Sequence, residues 1–273
     1  SPPPTASGAT TRRYRPRMDV ADPPFTGVGV ALVTLFDAAG ELDAEATARH
    51  AGHLVDRGVR AVLVAGSTGE AAALDADERS RLLVAVRAAV DGRVPVIAGT
   101  GAPSARQAVA LSRQAADDGA DALLALSPPA TDDPRPYYDA IATALDAPLL
   151  AYHYPGRSAP GIPVDLVCEL PVVGIKDSTG DPVRLAIEID QTRSGVYTGS
   201  AALALQAAAM GATGAILALA NVDPDGCTQA WEGDGTCQRE LVNGHRPGAL
   251  SGVRGLKWVL NQRYGTSTVT RLA

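Results

Sequence analysis

From residue 28 onward, short apolar runs rich in valine, isoleucine, leucine and alanine alternate with alanine-rich, partly polar stretches of helical length. The apolar runs are continuous rather than alternating, the pattern of strands covered on both faces. They predict strands at 28–35, 61–65, 94–98, 121–126, 148–152, 172–176, 195–198 and 214–219. Helices are expected over 43–57, 75–90, 103–118, 134–145, 163–169, 181–191 and 200–210. A recurring phrase supports this register. Asp56-Arg57-Gly58 leads into Ala61-Val62-Leu63-Val64, Asp118-Gly119-Ala120 into Ala122-Leu123-Leu124, and Met210-Gly211-Ala212 into Ala215-Ile216-Leu217. In each case a glycine ends a helix and turns the chain into a strand.

Gly58 and Gly211 are separated by six such units of about 25 residues, so eight fit between residue 28 and about 220. The expected fold is therefore α/β, a closed (β/α)₈ TIM barrel over residues 27–221. On pattern alone, an open doubly wound sheet competes with it. Residues 222–273 are read as a short C-terminal helical extension, broken in the middle by Gly233-Asp234-Gly235 and Pro247-Gly248. Residues 1–26, rich in proline and arginine and without an apolar signal core, are read as a flexible tail outside the fold.

Composition narrows the function without choosing it. A net charge of −6 with scattered arginines gives no sign of a nucleic-acid or anionic-membrane surface, and no apolar run reaches the ~18 residues that span a bilayer. Cys168, Cys227 and Cys237 are widely spaced, which implies no disulfide framework and favours the cytoplasm. No histidines and carboxylates stand at metal-ligand spacing, so neither a catalytic metal nor a cofactor is expected.

The basic residues carry the sharper signal. Of 24, only Lys176 and Lys257 are lysines. Arginine stays protonated, whereas a desolvated lysine amine can attack a carbonyl and form a Schiff base. Lys176 ends the apolar run Val172-Val173-Gly174-Ile175, just before a turn. Its ordinary reading is a lysine leaving the core for water; its chemical reading is a nucleophile at a barrel mouth, where reactive groups collect. Other strand ends offer partners. Gly66-Ser67-Thr68-Gly69-Glu70 is a glycine-bracketed turn that is either a plain polar turn or a grip for a carboxylate. Tyr152 is either a rim aromatic or a proton donor and acceptor, and adjacent strands place it beside Lys176. Arg157 can clamp a carboxylate through two hydrogen bonds. His153 alternates away from Tyr152 and should face a helix. Gly99-Thr100-Gly101 lacks the third glycine and following acid of a dinucleotide fingerprint.

In combination, the Gly66–Glu70 loop, Gly99-Thr100-Gly101, Tyr152 with Pro155, Gly174-Ile175-Lys176-Asp177 and Ala220-Asn221-Val222 resemble the dihydrodipicolinate synthase and N-acetylneuraminate lyase family. The similarity covers most of residues 27–221. It implies a homo-oligomeric (β/α)₈ enzyme acting on pyruvate or another 2-oxo acid and an aldehyde. Lys176 would form the imine, Ser67 and Thr68 would hold the carboxylate, Tyr152 would relay protons through Ser67, and Ile216 would contact substrate. Arg157 is typical of the synthases and implies a carboxylated aldehyde. The chain departs from the family at Ser127-Pro128-Pro129-Ala130, where synthases carry two tyrosines behind a proline, the second completing a proton relay across a subunit contact. It also has Ser67 where threonine is usual, and its C-terminal part looks shorter than the family norm. A divergent aldolase, a sugar-acid dehydratase or a non-catalytic 2-oxo-acid-binding barrel remain alternatives.

Overall fold

The computed structural model describes residues 22–244 and 252–272. Eight strands, β1 (Gly27–Ala31), β2 (Val62–Val64), β3 (Val96–Gly99), β4 (Ala122–Leu126), β5 (Leu149–His153), β6 (Gly174–Asp177), β7 (Gly195–Thr198) and β8 (Gly214–Leu217), pair in parallel with their sequence neighbours. β8 closes on β1, with Gly27 opposite Gly214. The fold is the expected (β/α)₈ barrel, and the open sheet is excluded. Outside the strands run α1 (Ala44–Asp56), α2 (Ala76–Val90), α3 (Ala105–Asp117), α4 (Arg135–Ala144), α5 (Pro182–Gln191) and α6 (Ala204–Ala209).

The continuous apolar runs follow from burial on two sides. Leu63, Ile97, Leu124, Leu150, Tyr152, Tyr197 and Ile216 pack inside the barrel. Their alternate neighbours, such as Val62, Val64, Leu123 and Ile175, pack outward under the helices. Gly58, Gly119 and Gly211, the glycines of the recurring phrase, all stand at φ 89°, a left-handed turn that an L side chain rarely adopts. Aspartate or serine caps start most helices. Asp75 and Glu78 form a reciprocal capping box on α2.

Some boundaries differ from the apolar pattern, for local reasons. The run 28–35 leaves the ladder at Ala31, because side chains take over its hydrogen bonds. The Val33 amide donates to Asn221 Oδ1 and the Leu35 amide to Thr47 Oγ1, each at 3.0 Å. Likewise 163–169 and the start of 200–210 wind as 3₁₀ turns, Val164–Glu169 and Ala201–Leu203. Phe25, inside the stretch set aside as a tail, is buried. It stacks on Tyr197 at 4.8 Å and its carbonyl accepts the Tyr197 hydroxyl at 2.7 Å, so these residues plug the lower barrel.

Beyond β8 lie α7 (Pro224–Trp231), α8 (Gly235–Gly244) and α9 (Gly252–Tyr264). Gly233, at φ 110°, separates the first two. Pro247-Gly248 falls outside the described residues. Among the described residues, no helix is long and apolar enough to cross a membrane.

Candidate active site

Lys176 stands on β6 directly opposite Tyr152 on β5 and Tyr197 on β7. It does not leave the core for water: its exposure is 4%, and its Nζ lies over the Tyr152 ring, 4.5 Å from the centroid. Among the described residues no carboxylate comes within ion-pairing distance of it. Burial lowers its pKa from 10.5 to about 7. A shift of that size represents about 5 kcal/mol against the ammonium form. A desolvated cation–π contact returns only about 2 kcal/mol, so desolvation wins and a large fraction of the amine is neutral near pH 7.

The Tyr152 phenol is also buried, which raises its pKa, while the nearby hydroxyls of Ser178 and Ser67 and the charge of Arg157 pull it partly back. Tyr154, two residues along the same edge, stacks at 6.0 Å from Tyr152 and joins the interior cluster. Ile216 belongs to that cluster from the β8 side. Space for Lys176 comes from Gly199. A Cβ there would lie 3.0 Å from Lys176 Cε and 1.9 Å from Ser178 Oγ.

The turn after β2 is built to stay still. Ala65 and Glu70, at its two ends, adopt left-handed backbone at φ 50° and 54°. Such non-glycine conformations persist only where the surroundings enforce them. Here Gly99 permits contact with the Ala65 carbonyl, since a Cβ on Gly99 would meet that oxygen at 2.1 Å. Thr34 Oγ1 donates to the Gly69 carbonyl at 2.7 Å, and the Glu70 and Ala71 amides close the turn onto Ser67 and Gly66. Ser67 and Thr68 remain half-buried, and their amides have no backbone partner among the described residues. Two amides and two hydroxyls in so constrained a turn can receive a small carboxylate. Gly99-Thr100-Gly101 is thus accounted for by packing: a Cβ on Gly101 would lie 2.5 Å from the Leu126 amide nitrogen.

Comparison with known proteins agrees with this fold. The model of the dihydrodipicolinate synthetase family matches residues 24–239. The chain belongs to that family. A 4-hydroxy-tetrahydrodipicolinate synthase of Natronomonas pharaonis is 39% identical over 232 residues, covering 80% of this chain and 79% of that one. The Pseudomonas aeruginosa protein of the same name is 38% identical over 229 residues, 79% and 78% of the two chains. Among solved structures, an E. coli prophage protein described as belonging to the dihydrodipicolinic acid synthase family, in complex with pyruvate, superposes with a TM-score of 0.85. It is 26% identical, over 91% of this chain and 92% of that one. A dihydrodipicolinate synthase from Bacillus anthracis gives 0.83 at 27% identity, over 92% and 93%.

Within this family fold, the structure gathers Lys176, Tyr152 and Ser67 at one mouth and sets Arg157 on the exposed loop beside them. Other residues separate from it. Ala130, where the resemblance implies a relay tyrosine, is exposed at φ 54°, and its amide donates to the Ala159 carbonyl at 2.7 Å. Tyr137 and Tyr138 lie on α4, as their position beyond the proline pair suggests, with hydroxyls bonded to the Ala102 and Ala125 carbonyls. His153 points to the outer layer, where Nδ1 accepts the Ile162 amide at 2.8 Å, and burial lowers its pKa to about 4. Asp177 also faces outward, 3.3 Å from Arg184, which pairs with Glu188 at 2.8 Å. Sequence reasoning missed Ser178 and Gly199. Ser178 was legible as the hydroxyl two places beyond the lysine, while Gly199 had no signal beyond its place at the end of β7.

Proposed function

We propose that the protein is a lysine-dependent class I lyase or synthase of the 4-hydroxy-tetrahydrodipicolinate synthase type, condensing pyruvate with an aldehyde. The observation that carries this reading is Lys176, buried with no counter-ion among the described residues, its amine shifted to about 7, against the Tyr152 ring. The neutral amine adds to the pyruvate C2 carbonyl, and loss of water gives the iminium. With nitrogen as electron sink, a C3 proton leaves and the enamine forms. Its C3 attacks the aldehyde carbon and the new alkoxide takes a proton; water then adds to the iminium at C2, and collapse of the carbinolamine restores the C2 carbonyl and returns the free amine. Ser67 and Thr68 hold the pyruvate carboxylate, and Tyr152 carries protons between the reacting oxygens and Ser67. Ile216 lines the interior side of the substrate. Arg157, exposed at the rim, receives the carboxylate of the second substrate.

Ala130 favours one variation. Without a phenol there, the relay from Tyr152 runs through Ser67 and Ser178 within the same chain and then to water. This suits a family member with a different aldehyde partner as well as a synthase. We further propose a cytoplasmic homo-oligomer, supported by the three separate thiols and by exposed Trp258 on α9. The test is trapping: incubation with pyruvate and borohydride should add one reduced pyruvyl group at Lys176. Aspartate semialdehyde should then be consumed with pyruvate in equal amounts. An unmodified Lys176 defeats the proposal, and consumption of other aldehydes only would select the divergent member.

A further inference from the structure

The second lysine is buried as deeply as the first but is fully engaged. Lys257 on α9 has no exposed side-chain surface, and its Nζ lies 2.6 Å from Glu70 Oε1 and 2.7 Å from the Val269 carbonyl. Its charge also sits 4.4 Å above the Phe36 ring. Glu70 closes the Ser67–Glu70 turn, and its other oxygen is taken by segment 269–272. Oε2 accepts the Arg271 and Leu272 amides, both at 2.8 Å. Arg271 fastens the same segment elsewhere. Its guanidinium meets both oxygens of Glu78 at 2.7 Å, the Gly40 carbonyl at 2.7 Å and the Ala73 carbonyl at 3.0 Å.

We infer that Lys257, Glu70 and the backbone of 269–272 form a strap that positions the Ser67-Thr68 turn to receive the substrate carboxylate. The argument is geometric. Glu70 holds a left-handed backbone two residues after Thr68, and its amide closes the turn on the Ser67 carbonyl at 3.2 Å. A free glutamate would relax toward right-handed or extended backbone, rotating the amides of the turn with it. Three donors from beyond the barrel hold its carboxylate and oppose that relaxation. The turn therefore meets its ligand already shaped, which lowers the ordering cost of binding. Lys257, Glu70 and Arg271 touch no reacting atom; they are positioning residues. The inference rests on the assignment of the 2-oxo-acid carboxylate to Ser67 and Thr68.

The paired substitution Glu70→Gln with Lys257→Met tests it, because removing both charges leaves neither buried alone. Pyruvate needed for half-maximal borohydride trapping should rise about tenfold. Trapping at saturating pyruvate and the pH of its half-rise should stay within twofold and a few tenths of a unit, since Lys176 is untouched. Half-saturation unchanged within twofold overturns the inference, as does a parallel loss of saturated trapping. Hydrogen exchange on the unaltered protein gives a reading independent of variant folding. By reciprocity of coupled sites, pyruvate should slow exchange at residues 66–71 and 268–272 together. Protection of 66–71 alone would also overturn it. If the unaltered protein is not trapped by pyruvate at all, the functional reading itself fails and the strap loses its purpose.

Discussion

Lys176 and Lys257, the chain's two lysines, are both buried at the upper end of the barrel, and they differ in company. Lys257 has a carboxylate, a carbonyl and an aromatic face around its ammonium. Lys176 has the aromatic face and no carboxylate partner among the described residues. Burial pushes both pKa values down, but at Lys257 the hydrogen bond and charge of Glu70 push back. At Lys176 desolvation acts alone and brings the value to about 7. Burial therefore does not make a lysine a nucleophile. Burial without a counter-ion prepares it for the proposed attack, because the amine then sheds its proton near neutral pH.

The strongest way to break this contrast is substitution at the two positions. Lys176→Met should abolish the pyruvate adduct entirely and leave the fold intact or firmer, since no partner is orphaned. An adduct that survives, located by mass spectrometry, would place the chemistry elsewhere. Tyr152→Phe keeps the ring over the amine and removes the hydroxyl. Turnover should fall about 10²–10⁴-fold, the usual cost of a lost positioned acid or base, while slow trapping persists. Unchanged turnover would move the proton relay off Tyr152. Lys257→Met should do the opposite of Lys176→Met. It strands Glu70 in the interior and should lower stability by about 3–5 kcal/mol, read as a fall in the thermal midpoint. A midpoint equal to that of Lys176→Met would erase the distinction.

The subtlest test is the pH profile. Imine formation should be slow below pH 7, where Lys176 is protonated, and rise to a plateau above it. An ordinary exposed lysine would half-rise near 10.5. The same depressed value makes Lys176 a cost to folding that is fully present below pH 7. That cost fades as pH climbs toward the unfolded value of 10.5, because the unfolded chain binds more protons in that window. Lys176→Met should therefore gain most in stability at neutral pH and below, and little near pH 10. A half-rise near 10 in the unaltered protein would mean that the amine is solvated.

Much of this was written in the sequence. The strand positions, the helix-ending glycines and the eightfold count follow from local periodicity, which depends only on residues a few places apart, whereas the choice between a closed barrel and an open sheet needed the pairing of β8 with β1. The proposed nucleophile was legible too, because a lysine in an arginine-rich chain stands out at the end of an apolar run. What the sequence could not express were relations between distant residues. Phe25 looked like part of a proline-rich tail until it was seen stacked under Tyr197, 172 residues away. Ser178 and Gly199 acquire meaning only where β6 and β7 bring them against Lys176.

The two lysines divide along the same line. That both were special could be read from composition. Which one would stand without a counter-ion among the described residues was decided by the closed barrel and by the segment folding back from residue 269, which gives Glu70 to Lys257 across 187 positions. Charge pairing acts over a few ångströms of space and takes no account of chain separation, so only the tertiary structure could assign it.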